Sequence, residues 1–85
     1  MKKVWFEKAW DQFCDILRCN ARMAKRIQAL LQSIERNGYN CIGKPEPLKG
    51  NLAGKWSVRI DAANRIVFQI AGDTLEIFSC AGHYG

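Results

Sequence analysis

Glu46 stands between Pro45 and Pro47, the two prolines of this 85-residue chain. Each proline fixes its own φ and disfavours helical geometry in the residue before it, so the segment is predicted to be stiff and extended. A carboxylate held in this way, with Lys44 and Lys49 close on either side, can be directed at a ligand or a reacting group. The simpler interpretation is a surface turn, which proline-rich segments also favour.

Two arginines are predicted to lie side by side on the C-terminal sheet. Pairing Val58 with Ile66 creates one apolar face and places Arg59 opposite Arg65 on the other. Like charges in such a pair are unfavourable unless an anion joins them, so the pattern indicates a phosphate site. The full predicted register pairs Trp56 with Phe68, Ile70 with Leu75, Phe68 with Ile77 and Arg65 with Cys80.

The third candidate group is His83, the single histidine of the chain, which is followed by Tyr84. Strict alternation along the last strand places Tyr84, and not His83, on the arginine face, although Gly82 can break that alternation. The simpler interpretation of a histidine and tyrosine here is a frayed tail.

The elements that must position these groups form an α+β pattern within a single domain, residues 1–85. A short strand at residues 3–6 precedes a helix from Glu7 to about Cys19, and Asn20 caps a second helix that ends at Asn37-Gly38. Three alternating strands follow. We therefore predict an N-terminal strand and an αα-hairpin packed on a small antiparallel sheet. The predicted apolar stripes are Phe6, Trp10, Phe13 and Leu17 in the first helix and Met23, Ile27, Leu30, Leu31 and Ile34 in the second.

Composition limits the kinds of protein this chain can be. An apolar fraction of 48% favours a folded domain, and a net charge of +5 favours a polyanionic partner such as nucleic acid or an acidic protein. The four cysteines form no C-x-x-C pair and are predicted to be free thiols, and we expect no metal and no cofactor. With neither a signal peptide nor a membrane-length apolar run, a cytoplasmic protein is expected.

Several runs of this chain resemble the Txe/YoeB toxins, ribosome-dependent mRNA interferases of the RelE superfamily. The resemblance covers nearly the whole chain, including the opening strand and the Ala9-Trp10-Asp11 start of the first helix. The runs that carry it are Gly43-Lys44-Pro45-Glu46-Pro47-Leu48-Lys49, Asn51-Leu52-x-Gly54-x-Trp56-Ser57-x-Arg59-Ile60, Asn64-Arg65-Ile66-Val67 and His83-Tyr84.

The resemblance implies a role for each candidate residue. Glu46 corresponds to the general base, His83 to the general acid and Arg65 to the stabiliser of the scissile phosphate, with Tyr84 beside the cleaved nucleotide. The remaining candidates are phosphate contacts, namely Lys49, Arg59 and Lys44. The implied fold is RelE-like, and the implied partners are the 70S ribosome with its mRNA, a YefM/Axe-type antitoxin and a second copy of the chain.

The chain departs from the family pattern at several basic positions. Val58 precedes Arg59 where two adjacent arginines are usual, Ala81 replaces a basic residue, and Asn64 replaces a common histidine. Because these changes remove positive charges, they are expected to affect the affinity for RNA or the ribosome. Gly85 extends past the usual terminal tyrosine.

Glu46, Arg65 and His83 have the chemistries that metal-free RNA cleavage requires. A base activates the 2′-hydroxyl, an acid protonates the departing 5′-oxygen, and a cation stabilises the charged phosphorane. Two alternatives remain: a non-catalytic relative such as a ParE-like gyrase poison, and a plain RNA- or partner-binding module. The joint presence of the three residues disfavours the first, and an activity that survives loss of the Glu46 carboxylate would favour the second.

Overall fold

Two helices and five strands make up residues 1–82, the part of the chain that the computed structural model describes. The α+β class, the opening strand and the αα-hairpin are confirmed. His83 and Tyr84, two predicted site residues, lie outside the described residues. In chain order the elements are β1 (Lys2–Trp5), α1 (Glu7–Cys19), α2 (Ala21–Asn37), β2 (Glu46–Pro47), β3 (Trp56–Arg59), β4 (Arg65–Ala71) and β5 (Thr74–Ser79).

The sheet is mixed rather than wholly antiparallel. Its strand order is β1-β5-β4-β3-β2, and β1 runs parallel to β5, with Lys2 opposite Thr74 and Trp5 opposite Ile77. The other three pairings are antiparallel; those of β3 with β4 and of β4 with β5 were predicted, whereas β2 lies in a region predicted to be a loop. The direction of β1 was not predictable from local pattern because no hairpin connects it to β5; the helices carry the chain away before β5 is reached.

The helix boundaries follow the predicted capping residues. The Asn20 side chain accepts a hydrogen bond from the Met23 backbone amide at 3.1 Å, which satisfies one of the open donors at the start of α2. Gly38 ends α2 with φ +61, a conformation that glycine adopts without a steric penalty. The predicted stripe of α2 is the buried one, because Ile27, Leu30, Leu31 and Ile34 all belong to the core.

The predicted stripe of α1 is wrong in part. Phe13 is buried, but Trp10 and Leu17 are each 48% exposed, and the small Ala9 is fully buried instead. Two contacts explain this rotation of the helix. Trp5 of β1 stacks on Phe13 with ring centroids 5.0 Å apart, and the Cys80 thiol donates to the Ala9 carbonyl at 3.4 Å. The small Ala9 side chain lets α1 approach the end of β5 closely.

The predicted register of β3 and β4 is confirmed, including the pair of Arg59 and Arg65. Residues 66 and 68 face the helices with Val58, while residues 57, 59, 65, 67 and 69 lie on the opposite face, here called the outer sheet face. A one-residue slip would exchange the two faces.

The β4–β5 register is confirmed only for the pairs nearest the hairpin. Ile70 opposes Leu75 and Phe68 opposes Ile77, but Val67 opposes Ser79, so β5 contains one extra residue, Phe78. The predicted opposition of Arg65 and Cys80 is therefore wrong. The Arg65 amide instead donates to the Gly82 carbonyl at 3.1 Å. Such β-bulges redirect the side chains that follow them.

The helices and the inner sheet face enclose one apolar core. Val58, Ile66, Phe68, Leu75 and Ile77 of the sheet are buried to 0% exposure against the helices. Cys80 is also fully buried, and this burial raises the pKa of its thiol to about 11. The four cysteines are free thiols in the structure, as predicted.

Gly43 is expected to be essential for the approach of the Glu46 segment to β3. Its φ is +93, and a Cβ there would lie 2.7 Å from Leu30 Cδ2 and 3.1 Å from Val58 Cβ. Gly43→Ala is therefore expected to lower the free energy of unfolding by about 2–4 kcal/mol, through backbone strain and overpacking. Urea denaturation would measure it.

The matched control is Gly50→Ala, which also has a positive φ of +67 but open space around the new methyl group. It is expected to cost about 1 kcal/mol, from backbone strain alone. Equal losses for the two variants would contradict the packing role assigned to Gly43.

Candidate active site

The Glu46 carboxylate lies on the edge strand of the sheet. In β2, Glu46 opposes Ser57 and Pro47 opposes Trp56, and the buried Leu48 donates its amide to the Lys55 carbonyl at 2.9 Å. An edge strand tolerates proline because the missing N–H faces away from the ladder. The predicted extended conformation of Glu46 is confirmed.

Lys44 does not share that extended conformation. Its φ is +54, the only positive φ of a non-glycine residue among residues 1–82. The extended geometry expected of a residue before proline is therefore not found at Lys44. The turn is held by the Gly43 carbonyl, which accepts the Arg59 amide at 2.7 Å. Non-glycine residues in this region carry backbone strain, which is common beside functional sites.

Arg65 forms an ion pair with Glu46. Its Nη1 lies 3.3 Å from Glu46 Oε1 and donates to Ser57 Oγ at 3.2 Å. Ser57 is fully buried, whereas the Glu46 side chain is 45% exposed. The buried Ser57 hydroxyl thus holds the Arg65 guanidinium in place, and the Glu46 carboxylate remains accessible to solvent. The residues predicted as base and phosphate stabiliser are brought together.

Arg59 and Arg65 are neighbours in the ladder but have different partners. Arg65 turns toward Glu46, while Arg59 Nε donates to the Asp61 carbonyl at 3.4 Å. The anion expected between like charges is supplied, for Arg65, by the chain's own carboxylate. Binding of a phosphate at this position remains a prediction.

Arg59 and Lys44 line an open cleft of about 380 Å³, which Glu46 and Arg65 do not line. Arg26 of α2 lines the same cleft, together with Asp61. Sequence reasoning missed Arg26, because a basic residue on a helix is usually part of a solvated face. The third predicted contact, Lys49, does not line this cleft and lies exposed at the start of a short 3₁₀ turn.

A network of hydrogen bonds in the β3–β4 turn holds Gly82, the last residue that the structure describes, beside Arg65. The Asn64 side chain accepts the Gly82 amide at 2.8 Å and donates to the Asp61 carboxylate at 3.0 Å. Asp61 also accepts the Ala63 and Asn64 backbone amides, each at 2.8 Å. This network therefore fixes the position of Gly82, the residue that immediately precedes His83 in the chain.

The hydrogen bonds that the Asp61 carboxylate accepts in this turn depend on its ionisation. Hydrogen bonds, first from the Ala63 amide and then from the Asn64 side chain, lower the pKa of this carboxyl below its ordinary value of 3.8. The carboxylate therefore stabilises the turn above that pH, and the contribution is lost as the pH falls through the lowered pKa. An Asp side chain that accepts the backbone amide two residues later, as Asp61 does from Ala63, forms an Asx-turn, so the turn itself could have been predicted from sequence.

Among residues 1–82, no group of three or more His, Cys, Asp or Glu side chains is arranged to hold a metal ion. In the same part of the chain, neither helix has the length and apolar character needed to cross a membrane.

A family model described as "YoeB-like toxin of bacterial type II toxin-antitoxin system" matches residues 5–84. The chain belongs to this toxin family. The YoeB toxin of Escherichia coli K12 is 39% identical over 99% of this chain and 100% of its own length. The YoeB toxin of Synechocystis is 42% identical over 99% and 98%, respectively.

Solved structures of YoeB toxins agree with this membership. The YoeB/ParE toxin from Agrobacterium tumefaciens has a TM-score of 0.95 at 42% identity, covering 99% of this chain and 100% of its own. A YoeB–YefM complex from Staphylococcus aureus gives 0.92 at 38% identity, and a YoeB dimer from that organism 0.92 at 36%, each covering 99% and 98%. YafQ from E. coli, at 10% identity and a TM-score of 0.82 over 96% and 92%, shares the fold.

Asn64 is expected to control the position of Gly82 in this YoeB-family chain. Asn64→Ala removes the acceptor of the Gly82 amide, so hydrogen exchange of that amide should rise by about 2- to 10-fold, the worth of one net hydrogen bond. NMR-detected exchange would measure it.

Asn51→Ala is the control, since it removes an exposed asparagine from a different turn, the 3₁₀ turn at Gly50–Leu52. An unchanged Gly82 exchange rate in the Asn64 variant would refute the positioning role.

Proposed function

We propose that this YoeB-family toxin, a single domain over residues 1–85, is a metal-free, ribosome-dependent endoribonuclease. It cleaves mRNA in the ribosomal A site by attack of a 2′-hydroxyl on the adjacent phosphate, which yields a 2′,3′-cyclic phosphate and inhibits translation. The observation that carries the proposal is the 3.3 Å pair of Glu46 and Arg65, with Gly82 hydrogen-bonded to Arg65 directly before His83 in the chain.

Each reacting group has one role in this mechanism. Glu46 removes the proton of the 2′-hydroxyl, Arg65 stabilises the negative charge of the phosphorane, and His83 protonates the departing 5′-oxygen. Tyr84 lies beside the cleaved nucleotide. A correctly placed acid or base contributes about 10²- to 10⁴-fold to the rate.

The resting ion pair also explains how substrate is admitted. An entering phosphate competes with Glu46 for the Arg65 guanidinium, which frees the carboxylate for the 2′-hydroxyl. The hydrogen bond from Arg65 to Ser57 holds the guanidinium in place during this exchange. Because Arg has several N–H donors in a rigid fork, it can keep Ser57 while it binds the phosphate.

Basic residues around this pair are proposed to bind the RNA backbone. Lys44 and Arg59 line the cleft with Arg26, and Lys49 extends the positive charge along the Glu46 segment. Val58 and Ala81 leave this chain with fewer cations than the family pattern. The ribosome supplies the alignment of the mRNA, and the site of action is cytoplasmic.

The regulatory partners are proposed to be a cognate YefM/Axe-type antitoxin and a second copy of the toxin. The YoeB–YefM complex and the YoeB dimer of S. aureus support both partners. A net charge of +5 also favours an acidic antitoxin segment.

Loss of the Glu46 carboxylate is expected to abolish most of the cleavage. Glu46→Gln on mRNA-programmed 70S ribosomes should lower kcat by about 10²- to 10⁴-fold, because the amide cannot act as the base. Primer extension would locate and quantify the cuts. Glu7→Gln, a change of an exposed carboxylate in α1, is the control.

A 2′-deoxy nucleotide at the cut site supplies the complementary test, since it removes the internal nucleophile. Cleavage that persists with this mRNA, or with Glu46→Gln, would overturn the mechanism. Absence of cleavage by the folded, antitoxin-free wild type would overturn the proposed function and direct attention to gyrase.

Arg59→Ala is expected to weaken binding more than it slows the chemical step. Loss of one charged contact to a phosphate should raise KM about 10-fold with kcat little changed, since charge-assisted hydrogen bonds contribute about 1.5–3 kcal/mol. Steady-state kinetics on programmed ribosomes would measure it, with the exposed Arg36→Ala as the charge-matched control. An unchanged KM would contradict the role of Arg59.

A further inference from the structure

An aromatic pair lies on the outer sheet face, away from the core. The rings of Phe6 and Phe78 meet with centroids 4.5 Å apart and an interplanar angle of 55°. Phe6 is 43% exposed and Phe78 is half-buried. The core is completed without them, because Ile77 and Cys80, on either side of the bulge, are fully buried.

A lysine accompanies this pair. The Lys55 Nζ lies 4.3 Å from the centroid of the Phe78 ring, within the range of a cation–π contact. Lys55 directly precedes β3, so its side chain reaches across β4 to the ring on β5. Aromatic rings next to a cation are the combination that proteins use to hold single-stranded nucleic acid without reading its sequence.

The register connects the aromatic pair to the candidate active site. Glu46 opposes Ser57, Ser57 opposes Val67, and Val67 opposes Ser79. Phe78, the extra residue of the bulge, is adjacent to Ser79 in this row. Neighbouring strands lie about 4.8 Å apart, so β5 is on the order of 14 Å from β2 across the same face. An extended RNA strand bound at Glu46 and Arg65 can therefore reach Phe78 within a few nucleotides.

We propose that Phe6, Phe78 and Lys55 form a stacking platform for an unpaired base of the RNA strand cleaved at Glu46. This inference rests on the proposed function and adds to it a second RNA contact, remote from the reacting phosphate. The base stacks on the exposed aromatic surface, and Lys55 contacts the phosphate between the platform and the ion pair.

The surroundings of the rings favour a nucleobase over a protein partner. Polar side chains lie around the pair on the outer sheet face, namely Gln69, Ser79 and Glu76, and the exposed Val4 lies opposite Glu76. An apolar peptide helix requires a continuous groove, whereas a planar base requires one ring face. The Glu76 carboxylate repels phosphates, which directs the RNA backbone to the Lys55 side.

The test combines protein variants with changes in the RNA. A short 2′-O-methyl oligoribonucleotide, which has no free 2′-hydroxyl to react, is titrated with the full-length toxin by fluorescence anisotropy at low salt. A single abasic site is then moved along the oligonucleotide. In the wild type, the abasic site should weaken binding on the order of 10-fold at one position, the value of one base–aromatic stack.

Phe78→Ala should weaken binding of the intact oligonucleotide by a similar factor and remove the further effect of the abasic site at that position. Phe78→Leu, which keeps an apolar side chain without a π face, should behave like Phe78→Ala. Leu17→Ala, which removes an exposed apolar side chain from α1, is the control and should bind as the wild type does. Phe6→Ala is the second variant and keeps the test valid if Phe78→Ala does not fold.

Several results would overturn the platform. These are additive effects of Phe78→Ala and the abasic site at all positions, wild-type affinity of Phe78→Leu, and failure of the wild type to bind the oligonucleotide. Loss of affinity for the antitoxin alone, with RNA binding unchanged, would assign the rings to a protein interface instead.

Cleavage on programmed ribosomes separates this inference from the proposed function. If Phe78→Ala and the abasic site are non-additive at one position but the wild type cuts no mRNA, the platform is retained and the endoribonuclease proposal is lost. If the wild type cuts mRNA but the two effects are additive at all positions, only the platform is overturned.

Discussion

The alternation of side chains along β3 and β4 is the constraint on which the site depends. Val58, Ile66 and Phe68 must face the helices to complete the core, and this requirement fixes the pairing of the two strands. The same pairing places Ser57 and Arg65 on the outer sheet face. A slip by one residue would bury the Arg65 guanidinium in the apolar core, which costs far more than any alternative pairing could return. Core packing thus positions the charged groups.

The edge strand β2 adds the carboxylate to this arrangement with few contacts. The strand is held against β3 by the pairing of Glu46 and Pro47 with residues of β3 and by Leu48, whose amide is hydrogen-bonded and whose side chain is buried. Gly43 and the strained Lys44 bring the chain to that edge by a turn that other residues would not adopt easily. The backbone of Glu46 is therefore held in place while its side chain is exposed to solvent, which suits a group that must contact a large substrate.

Sequence patterns were sufficient wherever apolar periodicity determined the structure. They gave the helix limits, the Asn20 cap, the register of β3 with β4 and hence the neighbouring arginines. They failed where the determining contact carries no apolar signal. The rotation of α1 depends on the small Ala9, the bulge at Phe78 is a single extra residue, and Arg26 reaches the cleft from a helix that looked solvated. The Asn64–Gly82 contact joins residues 18 apart, beyond the reach of any turn motif.

The parallel pairing of β1 with β5 has a consequence for the order of folding. Lys2 pairs with Thr74, so this ladder closes a loop that contains nearly all of the described chain. The α1–α2 hairpin and the β3–β4–β5 meander close much shorter loops and can form first, because loop-closure entropy is smaller for them. The first strand to be synthesised is thus expected to be the last to join the sheet, and the first to leave it when the domain opens.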